Sequence, residues 1–238
     1  MARRPKSQSG SFGQLSYRPA PDEGLVPQTL EFVRNQLPNW RDDPQRPQDS
    51  SEKRLNSSLS DFLDCRSRSL CPMVRFKHEA PQSGTRTVDI GAHGTEDTTL
   101  IGVRSYTIYE PFLVIEAKRL PAPSKDRERE YVTGTDKKSG SPTGGIQRFK
   151  LGLHGAGVET AAMVGYIESG LPQHWLRTIN RWIYELADDC RWSTSETLQF
   201  DRVDTAKGVS SSVSVHSRSL GCVTDSISLL HLWVVMNP

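Results

Sequence analysis

The stretch Phe112-Leu-Val-Ile-Glu-Ala-Lys118 decides how this chain folds. Four consecutive apolar residues with no helical spacing mark a strand buried on both faces, and so a strand inside a sheet. Residues two apart on a strand share a face, so Glu116 and Lys118 project together while Ala117 points the other way. Upstream, residues 86–91 read as another strand, with Asp89 alone between Val88 and Ile90. If the two strands pair, Asp89 and Glu116 converge.

Working outward, residues 74–78 alternate Val74, Phe76 and His78 with Arg75 and Lys77, the period of a strand with one buried face. The segment 91–111 must hold an extra loop or hairpin. Before these strands, Leu55, Leu59, Phe62 and Leu63 form an apolar stripe, and Asp49 with Glu52 three residues on predicts a reciprocal cap for that helix. An earlier helix starts near Pro27, carries Leu30, Val33 and Leu37, and ends at Pro38. Residues 41–49, with two prolines, are a connector, and residues 1–24, rich in Ser, Gly, Pro and Arg, are an expected mobile tail.

After the central strand, residues 119–145 have no apolar period and predict a long exposed excursion. A helix capped by Thr143 then buries Ile146, Phe149 and Leu153 and ends at the Gly155/Gly157 pair. Residues 161–167 suit a strand, and residues 172–188 a helix burying Trp175, Ile179, Trp182 and Ile183. Strand character returns at 198–203, at 209–216 with Val213 and Val215 alternating, and at 227–236. The order predicts an α/β domain over 25–238 around a mixed central sheet flanked by helices.

A paired Asp and Glu supply the hard oxygen ligands that Mg²⁺ requires, and a neighbouring lysine can orient water and offset phosphorane charge. In these residues the chain resembles the PD-(D/E)XK nuclease superfamily, whose motif sets an Asp on one strand and Glu-x-Lys on the next. The resemblance spans about 49–188, where the order helix, three strands, helix, strand matches the restriction-endonuclease-like αβββαβ core. Strands over about 196–238 form an extension. Val88 stands where the motif's name has proline, and 27 positions separate Asp89 from Glu116. The resemblance implies that Asp89 and Glu116 bind Mg²⁺ or Mn²⁺, that the Ala117 carbonyl joins them, and that Lys118 assists the attacking water. It also points to Glu52 and Gln147, the helix residues occupying places many members use.

Near Gln147, Gly144 and Gly145 let a phosphate approach helix amides. His154, between glycines, could touch a phosphate, support a residue that does, or, as is more usual for such a histidine, simply end a helix. With 30 Lys+Arg against 28 Asp+Glu, bulk charge identifies no partner, but residues 117–150 hold nine basic and four acidic groups. Arg119, Lys137, Lys138, Arg148 and Lys150 are therefore expected DNA contacts. Apolar residues, counted with Gly and without Tyr, make up about 40% of the chain, below the roughly 45–50% of globular proteins. The tail, connector and excursion account for the difference.

The four cysteines show no zinc spacing, and no P-loop or Gly-x-Ser-x-Gly elbow is present. Without a secretory signal or an apolar span, the expectation is a cytoplasmic protein with no membrane partner. These readings predict a metal-dependent deoxyribonuclease, compatible with a homodimer and with a partner protein in restriction or antiviral defence. The alternative is an inactive module of the same fold that binds nucleic acid or protein.

Overall fold

The computed structural model describes residues 24–48, 51–82, 84–187 and 191–237. The expected tail and the expected cap residue Asp49 lie outside the described residues, save Gly24. In chain order the elements are α1 (Leu25–Arg41), α2 (Glu52–Leu70), β1 (Val74–Pro81), β2 (Thr87–Gly94), β3 (Thr98–Ile101), β4 (Arg104–Thr107), β5 (Leu113–Leu120), α3 (Gly145–Lys150), β6 (Thr160–Ile167), α4 (Pro172–Leu186), β7 (Gln199–Asp204), β8 (Val209–Ser217) and β9 (Ser226–Val235). The β3–β4 hairpin fills the gap between the Asp89 and Glu116 strands.

The fold is α/β around a mixed seven-stranded sheet of order β1-β2-β5-β6-β9-β8-β7. Strands β1, β2 and β5 run antiparallel in turn, and β6 lies parallel to both β5 and β9. The C-terminal strands are thus not an appendage: β9 is an interior strand, and β8 and β7 extend the sheet antiparallel from it. Strand β5 is buried at seven of its eight positions, as its apolar run requires.

Register fixes the two faces. Glu116 pairs with Met163 and Met163 with His231, while Lys118 pairs with Gly165 and Gly165 with Trp233. One face therefore carries Glu116, Lys118, Met163, His231 and Trp233. Helix α3 lies over this face: a Cβ on Gly145 would meet the Met163 side chain at 2.5 Å. Gly165 leaves the space that the Trp233 indole fills, since a Cβ there would stand 2.5 Å from Cδ1. Helix α2 covers the other face, where Tyr166 donates to Asn56 at 3.0 Å. Among the described residues no helix is long and apolar enough to cross a membrane.

Several local expectations are corrected. Helix α1 continues through Pro38 to Arg41. Tertiary contacts hold that last turn, with Trp40 buried against Tyr166 and Arg41 donating to the carbonyls of Lys207 and Val235. At α2 the N-cap is Ser51 and Glu52 is the first helical residue, so Glu52 is not the third-position partner of a capping box. Helix α3 is capped by Gly144 rather than Thr143 and spans six residues, leaving Leu153 half-buried outside it. The excursion is exposed only in part, because Tyr131 and Val132 are buried.

Strand β8 faces opposite to what its valines suggest. Val213 and Val215 are exposed, while Ser210, Ser212, Ser214 and His216 point inward. Ser210 pairs with Trp233 and Ser212 with His231, so small side chains beside large rings let the sheet pack.

Candidate active site at the end of the central strand

The ladder between β2 and β5 runs from Ala92/Leu113 to Ile90/Ile115. At the next step a side chain takes over: Asp89 Oδ2 accepts the Ala117 N–H at 2.8 Å. This bond ties the carboxylate of one strand to the backbone of Glu116-Ala117-Lys118. Lys118 Nζ lies 3.2 Å from Glu116 Oε1 and 3.0 Å from Glu52 Oε1, with the lysine buried. Glu52 Oε2 also accepts the Arg119 N–H at 3.4 Å. Freed from the cap expected for it, Glu52 closes the site from the first turn of α2, and Arg127 from the excursion stands 4.0 Å from it.

Glu116 is the centre of charge. Besides Lys118, Arg148 Nη1 lies 2.8 Å from its Oε1 and His154 Nδ1 lies 3.0 Å from its Oε2. The histidine contact is close but not aligned, and both Glu116 Oε2 and His154 Nδ1 are buried without a hydrogen-bond partner. Arg148 is steadied by the Pro142 carbonyl and His154 by the Phe149 ring edge. Arg148 and His154 also line a cleft of about 700 Å³, whose other wall includes Arg86, Thr87, Ser141 and Thr143.

The surroundings separate the two carboxylates electrostatically. Burial, then the negative charge of Glu116, pushes Asp89 up to about 7. Burial alone would raise Glu116 too, but the Lys118 ammonium, aided by His154 and Arg148, holds it well below the usual carboxylate range. For Lys118, burial opposes the charge, yet Glu116, Glu52 and Asp89 together keep it above the ordinary lysine value. Lys118 is therefore an ammonium that can orient a water or stabilise negative charge, not a neutral base.

The other expected residues divide. Gln147 is absent from the Glu116 cluster; its Oε1 accepts the Gly134 N–H at 3.1 Å, and its neighbour Arg148 reaches the site instead. Lys150 is buried, paired with Glu196 and Ser217, and so is not a surface contact for DNA. Arg119 forms a two-pronged pair with Glu168 at 2.6 and 2.8 Å. Lys137 and Lys138 are exposed in a turn, Lys137 3.2 Å from Asp126. The α3 amides expected to meet a phosphate are already occupied: Gly145, Ile146 and Gln147 donate to the carbonyls of Glu130, Tyr131 and Val132. Gly144 permits that close packing, since a Cβ would stand 2.3 Å from Thr133 Cα.

The roles of Arg148 and His154 at Glu116 carry no sequence spacing. They arise because α3 ends at Lys150 and the chain turns back through Gly152 and Gly155, both at positive φ. Hard oxygen donors from Asp89 and Glu116, one of them unpartnered, suit Mg²⁺ or Mn²⁺. Among the described residues no group of three or more His, Cys, Asp or Glu is arranged to hold a metal. An ion here would thus complete its shell with waters and substrate oxygens. In comparisons with known proteins, no family model, no curated protein and no solved structure matches this chain.

Proposed function

We propose that this protein is a divalent-metal-dependent nuclease acting on DNA, with a restriction-endonuclease-like core formed by α2, β1, β2, β5, α3 and β6. The observation that carries the reading is the Asp89–Ala117 hydrogen bond, which draws the strand-borne Asp onto the Glu-Ala-Lys segment. Asp89 and Glu116 would hold the ion, joined by the Ala117 carbonyl. A bound Mg²⁺ or Mn²⁺ neutralises phosphate oxygens and acidifies water. Lys118, fixed as an ammonium between Glu52 and Glu116, orients the attacking water and offsets charge on the phosphorane. Arg86 and Arg148 in the cleft offer paired N–H donors to the backbone phosphate.

One observation favours a second reading, a binding module of the same fold: Glu116 is already paired with the cations of Lys118 and Arg148. Cleavage of plasmid DNA with Mg²⁺ or Mn²⁺ decides between them. The Asp89→Asn variant keeps an acceptor for the Ala117 amide and loses the charge. Metal-dependent cleavage by the natural chain, lost in the variant, is the expected result. DNA binding without cleavage in both selects the module, and equal cleavage by both removes Asp89 from the site.

A further inference from the structure

Lys118 and Arg148 both reach Oε1 of Glu116, which leaves the opposite oxygen to another neighbour. Glu116 Oε2 lies 3.0 Å from His154 Nδ1, yet the contact is out of line and neither atom has a hydrogen-bond partner. Both side chains are buried, Glu116 to 1% exposure and His154 to 3%. Buried polar atoms are normally satisfied, and two unmet ones facing each other call for a group that takes a lone pair from each. We infer that His154 is a nitrogen ligand beside Glu116, through which the site prefers a first-row transition ion such as Co²⁺ to Mg²⁺. The inference rests on Glu116 being a metal ligand, as the proposed function has it, and adds the residue that chooses the ion.

The spacing of the two atoms fits this role. Bonds of about 2.1 Å set at right angles, as around an octahedral ion, put adjacent donor atoms about 3.0 Å apart. That is the separation found between Oε2 and Nδ1. A cation held by both needs no N–H between them, so the misalignment that spoils a hydrogen bond does not weaken such a site.

The ring is already in place for an ion. The His154 backbone N–H donates to the Arg148 carbonyl at 3.3 Å, and the imidazole meets the Phe149 ring edge-on at 6.1 Å. Gly155, at φ +60°, turns the chain directly after it. His154 also lines the cleft of about 700 Å³, which brings solvent to the ring. Mg²⁺ takes oxygen ligands, whereas an imidazole suits the later first-row ions. Among the described residues no group of three His, Cys, Asp or Glu is gathered around one point, so this pair keeps water and substrate oxygens in its shell.

Metal binding by the untagged full chain tests the inference apart from any cleavage. In pulsed EPR, bound Mn²⁺ should show the nitrogen modulation of a directly bound imidazole. His154→Gln, whose amide offers an oxygen instead, should lack it. Calorimetry should find Co²⁺ bound more tightly than Mg²⁺. His154→Gln should weaken Co²⁺ at least about tenfold, the loss typical of disturbing a metal's histidine shell, and leave Mg²⁺ unchanged. His154→Asn is a second variant for the same readouts if the first does not fold. No nitrogen modulation in the natural chain, its persistence in a folded variant, or an equal loss of Co²⁺ and Mg²⁺ binding overturns the inference. Plasmid cleavage is scored separately. Cleavage that needs Asp89 but comes without nitrogen modulation sinks the ligand role and keeps the nuclease; nitrogen-bound Mn²⁺ without cleavage keeps the ligand role and removes the nuclease.

Discussion

Arg148 Nη1 stands 2.8 Å from Glu116 Oε1, so the carboxylate best placed for a cation is held by the chain's own guanidinium. The same arginine lines the cleft that a phosphodiester would enter. Under the proposed function, a substrate phosphate would draw Arg148 away and release Glu116. Replacing Arg148 by Gln removes the competing charge while keeping a polar side chain. Mn²⁺ affinity measured by calorimetry should rise about tenfold, the equivalent of one charge-assisted hydrogen bond. Unchanged or weaker Mn²⁺ binding shows that the guanidinium does not compete for this carboxylate.

Lys118 has a structural role that is independent of the proposed chemistry. It is buried between Glu52 and Glu116, with the Asp89 charge close enough to raise its proton affinity. Lys118→Ala leaves these carboxylates without their shared counter-charge and should destabilise the fold by about 3–5 kcal/mol, the range for breaking a buried ion pair. Urea unfolding measures it; a loss below about 1 kcal/mol would show that solvent reaches the site and screens the carboxylates.

Asp89 has the opposite effect on stability. Its folded-state proton affinity is raised to about 7, first by burial and then by Glu116. Above that pH the native state must hold a buried charge that the unfolded chain holds in water, so ionised Asp89 destabilises the fold. Asp89→Asn removes this penalty and keeps the acceptor for Ala117. In chelator-containing buffer at pH 8 the variant should melt at higher temperature than the natural chain, and the advantage should shrink as pH falls toward 4. A variant less stable at pH 8 would mean that the carboxylate is favourably solvated there.

What could be read in the sequence followed strong local signals. The apolar run before Glu116 fixed β5, strand parity put Glu116 and Lys118 on one face, and the pairing of β2 with β5 brought Asp89 to them. Glu52 was visible as a candidate, but the local cap pattern disguised its partner, because α2 begins at Glu52 itself. The contact of Arg148 and His154 with Glu116 was not legible, for a different reason. Their meeting at Glu116 depends on a short helix and two left-handed glycines, where no periodicity survives. Strand β8 shows the limit of counting valines: which face is buried was decided by Trp233 and His231 on the neighbouring strand.

Those inward-facing groups form one directed chain of hydrogen bonds. Trp233 Nε1 can only donate, and it gives its proton to Tyr131 Oη at 2.9 Å. The Tyr131 O–H needs an acceptor of its own, and His231 Nδ1 at 2.8 Å supplies it, which puts the His231 proton on Nε2, facing Ser214 Oγ at 2.7 Å. Ser214 in turn donates to His216 Nε2 at 2.7 Å, leaving the His216 proton on Nδ1, 3.6 Å from Glu196 Oε2. Both rings are neutral in this arrangement, and nitrogen NMR should find opposite tautomers, Nε2–H at His231 and Nδ1–H at His216.

Burial depresses the proton affinity of His231 and His216, and lowers His93 to about 4. The unfolded chain takes up these protons near pH 6.5 and the folded one does not, so stability is full above that pH and falls as acid is added. Each histidine contributes a slope of up to about 1.4 kcal/mol per pH unit. Asp89 works in the opposite sense between about 4 and 7, where the folded state holds a proton that the unfolded state has lost, and it cancels roughly one histidine. The natural chain should therefore lose up to about 3 kcal/mol per pH unit as pH falls from 6 to 5, and Asp89→Asn up to about 4. Urea midpoints across that interval in chelator supply the test. A flat profile would mean that the three imidazoles are protonated in the folded state, and equal slopes in the two chains that Asp89 is already ionised there.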